Sequence, residues 1–168
     1  LRYEEETREL QGFGSAFGGA QALAPTDIST RMRPLTGKLA VEWTPADDLL
    51  LYASASRGVK SGGFTTYNTG NRSGIEPFAP ETLYAYELGI KSRPAPWAQV
   101  NAAAFWYDYR DQQVLSAVYG VNGPVGRFTN ADRSRIAGAE VELALTPLPG
   151  LTLAPFAGFK HGRYLEFQ

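Results

Sequence analysis

The sequence predicts an all-β protein: an antiparallel, up-and-down transmembrane β-barrel, of which the chain supplies about seven strands. Apolar and polar residues alternate along several segments, and the clearest of them is residues 83–91. A period of two is typical of strands with one dry and one wet face. The connections are alternately short and long, as in membrane barrels with turns at one end and loops at the other. The charged residues keep to one face, which leaves the other free to meet lipid.

The composition narrows the class of protein. The chain has 168 residues and a net charge of -1, which does not favour nucleic acid as a partner. It has no run of 18 apolar residues, so a membrane helix is not predicted, whereas a membrane strand needs only about 9–11 residues. Cysteine is absent, which excludes disulfides, thiol nucleophiles and iron–sulfur clusters. Because the chain begins at Leu1 and ends directly after a strand-like segment, we expect a fragment of a longer protein.

The first half of the chain is predicted to hold strands at residues 38–43 and 49–59. The charged residues 1–9 are interpreted as the end of a further strand, with a solvated helix as the alternative. A short turn at residues 45–48 follows from Pro45, which fixes φ, and from the aspartates after it, which bond nearby backbone. Stretches rich in glycine and small polar residues predict long loops at residues 10–34 and 60–80.

The second half is predicted to hold four strands, at residues 83–91, 99–113, about 129–145 and 151–164. Short turns are expected at residues 93–97 and 147–150, and a third long loop at residues 115–127. Pro155 cannot donate to a strand ladder, so the last strand should be irregular there. In the stretch FWYDYRD at residues 105–111 the alternation is less clean, and the sequence assigns no faces there.

Charge placement specifies the register of the sheet. Six charged residues fall on the wet face: Lys38, Glu42, Glu87, Lys91, Glu140 and Glu142. Pointing them inward leaves the outward faces free of charge, since a cation facing lipid at the midplane would cost about 2–4 kcal/mol. A slip of one residue would reverse every side chain. Trp43, Tyr84 and Trp97 lie near strand ends, where the aromatic girdles of membrane proteins lie. A soluble β-sandwich gives the same alternation and remains an alternative.

Four stretches resemble the barrel of TonB-dependent receptors of Gram-negative outer membranes, in the order and spacing of that family. They are LYASASRGVKSGGF at residues 51–64, FAPET at 78–82 leading into YELGIK at 86–91, NAAAF with YRD at 101–111, and TNA with IAGAEVEL at 129–143. The resemblance covers about residues 35–164. Ala55 and the terminal Gln168 depart from it, since the family often has aromatic residues at these places.

The resemblance implies a barrel of about 22 strands around an N-terminal plug. Residues 1–168 would be one partial β-barrel domain from late in that barrel, with the plug and the remaining strands absent. The family takes up ferric siderophores, cobalamin or other scarce ligands, driven by the inner-membrane TonB complex. The implied location is the cell outer membrane. The implied partners are outer-membrane lipid, a small-molecule ligand such as a ferric siderophore, and the TonB complex through the missing N-terminal part.

No catalytic constellation is evident, so an enzyme is not predicted. His161 has neither a second histidine nor a cysteine with which to build a zinc site or a nucleophilic triad. Glu140 and Glu142 share one face, a geometry that a glycosidase pair could use, but a solvated lumen explains them as well. The sequence around Lys60 lacks the spacing of a phosphate loop. No cofactor is predicted.

The candidate ligand-binding residues are polar and aromatic side chains of the long loops: Tyr67, Asn68, Asn71, Arg72, Tyr119, Asn122 and Arg127. Arginine with tyrosine suits an anionic, aromatic siderophore, through charge-assisted hydrogen bonds and ring contacts. The sequence with its resemblance therefore predicts an energy-coupled receptor for a scarce nutrient, with a ferric siderophore as the favoured ligand. A passive porin-like channel and a barrel-borne enzyme compete with this interpretation.

Overall fold

The computed structural model describes residues 1–15, 22–65, 77–120 and 123–166, and its regular structure is all β. The strands are β1 (Arg2–Tyr3), β2 (Glu6–Ser15), β3 (Ala22–Met32), β4 (Leu35–Ala46), β5 (Leu49–Lys60), β6 (Gly63–Phe64), β7 (Pro77–Phe78), β8 (Glu81–Ala95), β9 (Ala98–Gly120), β10 (Gly123–Leu148), β11 (Leu151–Leu153) and β12 (Phe156–Glu166). Among the described residues, no helix is long and apolar enough to cross a membrane.

One antiparallel sheet contains most of the chain. Its order is β1-β4-β5-β8-β9-β10, with both β11 and β12 paired to β10. β11 and β12 are one strand broken at Pro155, as the missing N–H of proline predicts. Counting them together gives seven strands in this sheet, the number that the sequence predicts, but the predicted first strand at residues 1–9 contributes only Arg2–Tyr3, because residues 6–9 begin β2 of a separate hairpin. The antiparallel, up-and-down prediction is confirmed, and within the described part of the chain the sheet stays open.

The three predicted short turns are confirmed, and all lie at the same end of the sheet, the turn end. They join β4 to β5, β8 to β9 and β10 to β11. In the last of them Gly150 has a φ of 82°, a left-handed conformation that favours glycine. The opposite end is the loop end.

Two predicted loops at the loop end are wrong. Most of residues 10–34 forms the β2–β3 hairpin, and residues 115–127 belong largely to β9 and β10, which pair as far as Gly120 and Gly123. We attribute both errors to the same cause. Strands that extend beyond an apolar layer meet water on both faces, so they lose their alternation while they keep their backbone pairing. In the predicted loop at residues 60–80, β6 pairs with β7, and residues 66–76 lie outside the described ranges.

The strand register defines two faces. Pairing places all six predicted inward charges on one face, the inward face; for example, Ser54 pairs with Glu87, and Glu87 pairs with Phe105. The other face, the outward face, is apolar and open: Leu39 is 71% exposed and Phe159 is 72% exposed. Exposed apolar patches of this extent mark an interaction surface, here one suited to lipid.

The uncharged part of the outward face has the height of a membrane. In β9 it runs over the nine positions 98–106, and in β10 over the nine positions 137–145. At about 3.3 Å per residue and a tilt of about 40°, nine residues span roughly 23 Å. The apolar band of outer-membrane barrels is about 25 Å tall.

On the inward face, aromatic rings cover glycines of the neighbouring strands. A Cβ atom at Gly89 would collide with the ring of Tyr52, and one at Gly138 with the ring of Phe105. Covering a strand glycine with an aromatic ring is a recurrent way of fixing the register of a sheet. Phe105 also stacks on Tyr107, with 4.9 Å between ring centroids. These contacts supply the face assignment that the sequence lacked beyond Phe105.

Tyr52 also donates a hydrogen bond of 2.7 Å from its hydroxyl to Oε1 of Glu87. We expect Tyr52→Phe to lower the free energy of unfolding of the complete barrel by about 1 kcal/mol, because the ring stays over Gly89 while Glu87 loses its donor. Urea titration of the barrel in lipid vesicles measures this. Tyr86→Phe, the same change on the outward face, is the control and should cost only a few tenths of a kcal/mol. Equal losses would show that the hydrogen bond contributes nothing.

Candidate functional site

The described part of the chain contains two of the seven predicted ligand-binding residues. Five of them, Tyr67, Asn68, Asn71, Arg72 and Asn122, lie outside the described residues. The other two are on strands: Tyr119 in β9 and Arg127 in β10.

Tyr119 and Arg127 lie on opposite faces of their hairpin. Tyr119 pairs with Pro124, three residues before Arg127, and side chains alternate between faces along a strand. Tyr119 is 88% exposed and continues the inward face. Arg127 pairs with Ser116, whose hydroxyl donates a hydrogen bond of 3.2 Å to the Arg127 carbonyl oxygen. The structure does not bring the two side chains together, and a ligand role for either stays a prediction.

Segment 66–76 contains four of the predicted residues. The structure shows how the residues on either side of this segment are held. Asn130 on β10 donates from Nδ2 to the carbonyl oxygen of Ala79 at 3.0 Å and accepts at Oδ1 from the Ala79 N–H at 2.8 Å. Its Nδ2 also donates to the Asp111 carbonyl oxygen at 2.7 Å. Asp111 has a φ of 53°, a left-handed conformation in which aspartate is one of the tolerated residues. One amide thus ties the chain after the segment to the hairpin β9–β10.

Gln113 on β9 holds the chain on both sides of the segment. Its Nε2 donates to the carbonyl oxygen of Ser61 at 2.9 Å and to that of Ala79 at 3.2 Å. Its own N–H donates to Oε2 of Glu81 at 2.8 Å. Gln113 and Asn130 pair with each other across the hairpin, so they form one unit, here called the loop anchor.

The β2–β3 hairpin supports the other side of the segment. Ser61 donates to the carboxylate of Glu6, and the N–H of Gly62 bonds Sδ of Met32 at 3.3 Å. The hydrogen bond from Ser61, together with one from Arg8, lowers the pKa of Glu6 below its ordinary value. A Cβ atom at Gly62 would collide with the carbonyl oxygen of Phe78, so the two chain ends at β6 and β7 approach too closely for any other residue. The segment 66–76 therefore starts and ends at one fixed place.

Sequence reasoning missed the loop anchor. Asn130 belongs to a stretch that resembles the receptor family, and Gln113 is the last residue of a predicted strand. Neither position carries a signal in its spacing, because the partners are backbone groups and one carboxylate that lie 19 to 52 residues away in sequence. The one available hint is a pair of side-chain amides with both donor and acceptor capacity beside a glycine-rich stretch.

The loop end offers hydrogen-bonding groups rather than a metal-binding cluster. Among the described residues, no group of three or more histidine, cysteine, aspartate or glutamate side chains could hold a metal ion. The described groups that flank segment 66–76 are hydrogen-bonded to the β9–β10 hairpin and to the β2–β3 hairpin. The fold defines a class: an open section of the wall of an antiparallel, up-and-down β-barrel, with one apolar and one polar face.

Comparison with known proteins identifies the family. The family model for TonB dependent receptor-like β-barrels matches residues 1–166. The chain belongs to this family, whose members are receptors and transporters and whose barrels are outer-membrane proteins of Gram-negative bacteria. The resemblance of the sequence is thereby confirmed.

Solved structures of such receptors share the fold. The ferric yersiniabactin uptake receptor FyuA from Yersinia pestis matches with a TM-score of 0.74 at 19% identity, over 96% of this chain and 23% of that one. The copper transporter OprC matches with a TM-score of 0.66 at 18% identity, over 82% and 22%. The siderophore receptor PirA from Pseudomonas aeruginosa matches with a TM-score of 0.62 at 17% identity, over 96% and 34%. The chain thus spans about a quarter to a third of these proteins.

Proposed function

We propose that residues 1–168 are part of the barrel domain of an outer-membrane receptor for energy-coupled uptake of a ferric siderophore. The observation that carries the proposal is the two-faced wall, with an apolar outward face of membrane height and an anchored recognition segment at the loop end. The names of two structural neighbours, which describe siderophore uptake or reception, support this class of ligand. The remaining strands, the plug and the contact with the TonB complex belong to the part of the protein beyond this chain.

In this proposal the ligand binds at the loop end, to Tyr67, Asn68, Asn71, Arg72, Tyr119, Asn122 and Arg127 together with the plug. Arginine offers charge-assisted hydrogen bonds to anionic oxygens of the chelator, and tyrosine offers a ring face and a hydroxyl. The anchor of segment 66–76 lowers the cost of ordering its side chains on binding, which is the energetic value of a fixed loop base. The wall itself performs no chemistry on the ligand.

The test is growth under iron limitation. A strain that lacks the gene of the full-length protein should lose growth on one chelated iron source from a panel of hydroxamate, catecholate and phenolate siderophores. Plasmid-borne receptor should restore growth only in cells with a functional TonB complex, because transport is energy-coupled. Restored growth without TonB would instead indicate a passive channel.

Copper accumulation in the deletion strain is measured as well, since one structural neighbour is a copper transporter. Loss of copper accumulation in the deletion strain, with unchanged use of every siderophore, would replace the siderophore by copper as the cargo. Unchanged growth and metal content in all conditions would contradict uptake of either.

A further inference from the structure

The outward face carries charge at one end only. In the two rows just beyond the uncharged band, toward the loop end, it presents five arginines, here called the outward arginine cluster: Arg57, Arg110, Arg133, Arg135 and Arg163. The expectation of an outward face free of charge is therefore wrong at this level. The sequence pattern missed the cluster because Arg110 lies in the stretch where the faces could not be assigned, and the other four arginines lie beyond the alternating residues of their strands.

Register gathers the cluster into two adjacent rows across the wall. The first row runs over five strands, in the order Arg57, Tyr84, Asp108, Arg135 and Arg163. In the second row Arg110 pairs with Arg133. Neighbouring strands are about 4.8 Å apart, so the first row is roughly 19 Å wide. The cluster is thus a belt across the outside of the wall.

Within the described part of the chain, the belt has more positive charge than the carboxylates beside it neutralise. Asp108 accepts two hydrogen bonds from Arg133, at 3.0 and 2.7 Å, and Glu166 pairs opposite the same arginine. Two carboxylates against five guanidinium groups leave an excess of three positive charges. Like charges also face each other directly, since Arg110 pairs with Arg133 and Arg135 with Arg163. Such cross-strand pairs destabilise a sheet unless an anion lies between them.

Aromatic rings hold the guanidinium groups in place. The Cζ atoms of Arg57 and Arg110 lie 5.8 and 5.4 Å from the ring centroid of Tyr84. Cζ of Arg135 lies 5.4 Å from the ring centroid of Trp106. A guanidinium group stacked on a ring keeps its N–H groups available for bidentate bonds to phosphate oxygens. The belt is therefore preorganised for anions that approach from outside the wall.

The height of the belt identifies the source of the anions. Asp108 and Arg135 come two residues beyond Trp106 and Ala137, the last outward positions of the uncharged band. Two residues along a tilted strand rise about 5 Å, which is the depth of the headgroup region above a hydrocarbon layer. In a barrel inserted in a membrane, the outward face at this level adjoins the lipid headgroups, and lipid phosphates complement arginine in charge and geometry.

We propose that the outward arginine cluster binds the phosphate groups of anionic lipid headgroups in the leaflet at the loop end. The proposal rests on insertion of the barrel into a membrane, which is part of the proposed function, but on no particular ligand. It adds a second interaction surface to the protein, on the face opposite the uptake path.

The test compares two triple variants of the full-length protein with equal change in charge. R110Q/R135Q/R163Q removes three outward cations, whereas K38Q/K91Q/K160Q removes three inward ones. Both proteins are purified in a neutral detergent and titrated with phosphatidylglycerol, with zwitterionic phosphatidylcholine or with inorganic phosphate. Native mass spectrometry reports the lipid-bound fraction at low and at high salt.

We expect the wild type to prefer phosphatidylglycerol over phosphatidylcholine, with an affinity that falls with salt. Each lost outward arginine should weaken binding by about fivefold, so the outward triple variant should lose roughly 100-fold. The inward control should stay within about twofold of the wild type, because its charges face away from lipid. Siderophore affinity should be the same in the outward variant and the wild type, which separates this proposal from that for uptake.

Equal phosphatidylglycerol binding by the two triple variants would overturn the proposal. Competition by inorganic phosphate at the lipid concentration would also overturn it, since the site would then recognise free phosphate rather than a headgroup. If the outward triple variant does not fold, Arg163→Gln alone serves, because Arg163 is exposed and forms no ion pair within the described residues. An affinity loss below twofold in that variant would count against the proposal as well.

Discussion

The Ala102→Arg substitution is expected to lower the free energy of unfolding of the complete barrel in a bilayer by about 2–4 kcal/mol. Ala102 is the central position of the uncharged stretch 98–106 and pairs with Ile90 on one side and Val141 on the other. Its side chain points outward at the middle of the apolar band, as far from either headgroup layer as this wall allows. An arginine there must bring water into the hydrocarbon or distort the strand.

The control for this prediction is the next residue. Ala103→Arg places the same side chain on the inward face, where Ala103 pairs with Gly89 and Glu140. The new cation finds Glu140 and Glu142 there, so we expect a loss below about 1 kcal/mol. Urea unfolding of both variants in lipid vesicles measures the difference. Equal losses, or a larger loss for Ala103→Arg, would mean that the two faces have been exchanged and that the membrane assignment of the wall is wrong.

The Asn130→Ala substitution is expected to release the recognition segment. It removes three hydrogen bonds of the loop anchor and leaves the N–H of Ala79 without its acceptor. We expect a loss of about 1 kcal/mol locally, since the three hydrogen bonds are exposed and water can partly satisfy the groups that lose their partner. The segment 66–76 should then be cut faster by proteases, and ligand affinity should fall by about tenfold because binding must then order the segment.

Asn101→Ala is the matched control, because it makes the same change at the turn end. The side chain of Asn101 accepts one long hydrogen bond, 3.5 Å from Nε2 of Gln99. Neither the rate of proteolysis within residues 66–76 nor ligand affinity should change in this variant. If Asn130→Ala also leaves both unchanged, the hydrogen bonds of Asn130 do not position the segment.

Within the apolar band, the sequence predicted the wall well. The strands at residues 38–43, 49–59 and 83–91, the three short turns and the inward placement of six charges are all confirmed. The reason is physical: lipid on one side and water on the other impose a period of two that few other structures share. Pro155 indicated the break in the last strand in the same way, because a missing N–H is visible in the sequence.

Beyond the band, the sequence was less informative. The β2–β3 hairpin and the ends of β9 and β10 have water on both faces, so they carry no alternation and were predicted as loops. The loop anchor joins residues distant in sequence through backbone groups that every residue has. The outward arginine cluster became apparent once register fixed the faces beyond Phe105. Long-range pairing, rather than composition, determines these features.

The paired strands β6 and β7 separate segment 66–76 from the strands of the wall, and the two parts are under different structural constraints. The wall must satisfy a bilayer of fixed thickness, whereas the segment leaves and re-enters it through the same paired residues at β6 and β7. Lengthening this segment costs little free energy, since each doubling of the length of a flexible loop adds only about 0.6 kcal/mol of closure entropy. Insertions and exchanges between these two points therefore leave the pairing of the seven wall strands untouched. The length and sequence of this segment can therefore change while the sheet that carries it stays the same.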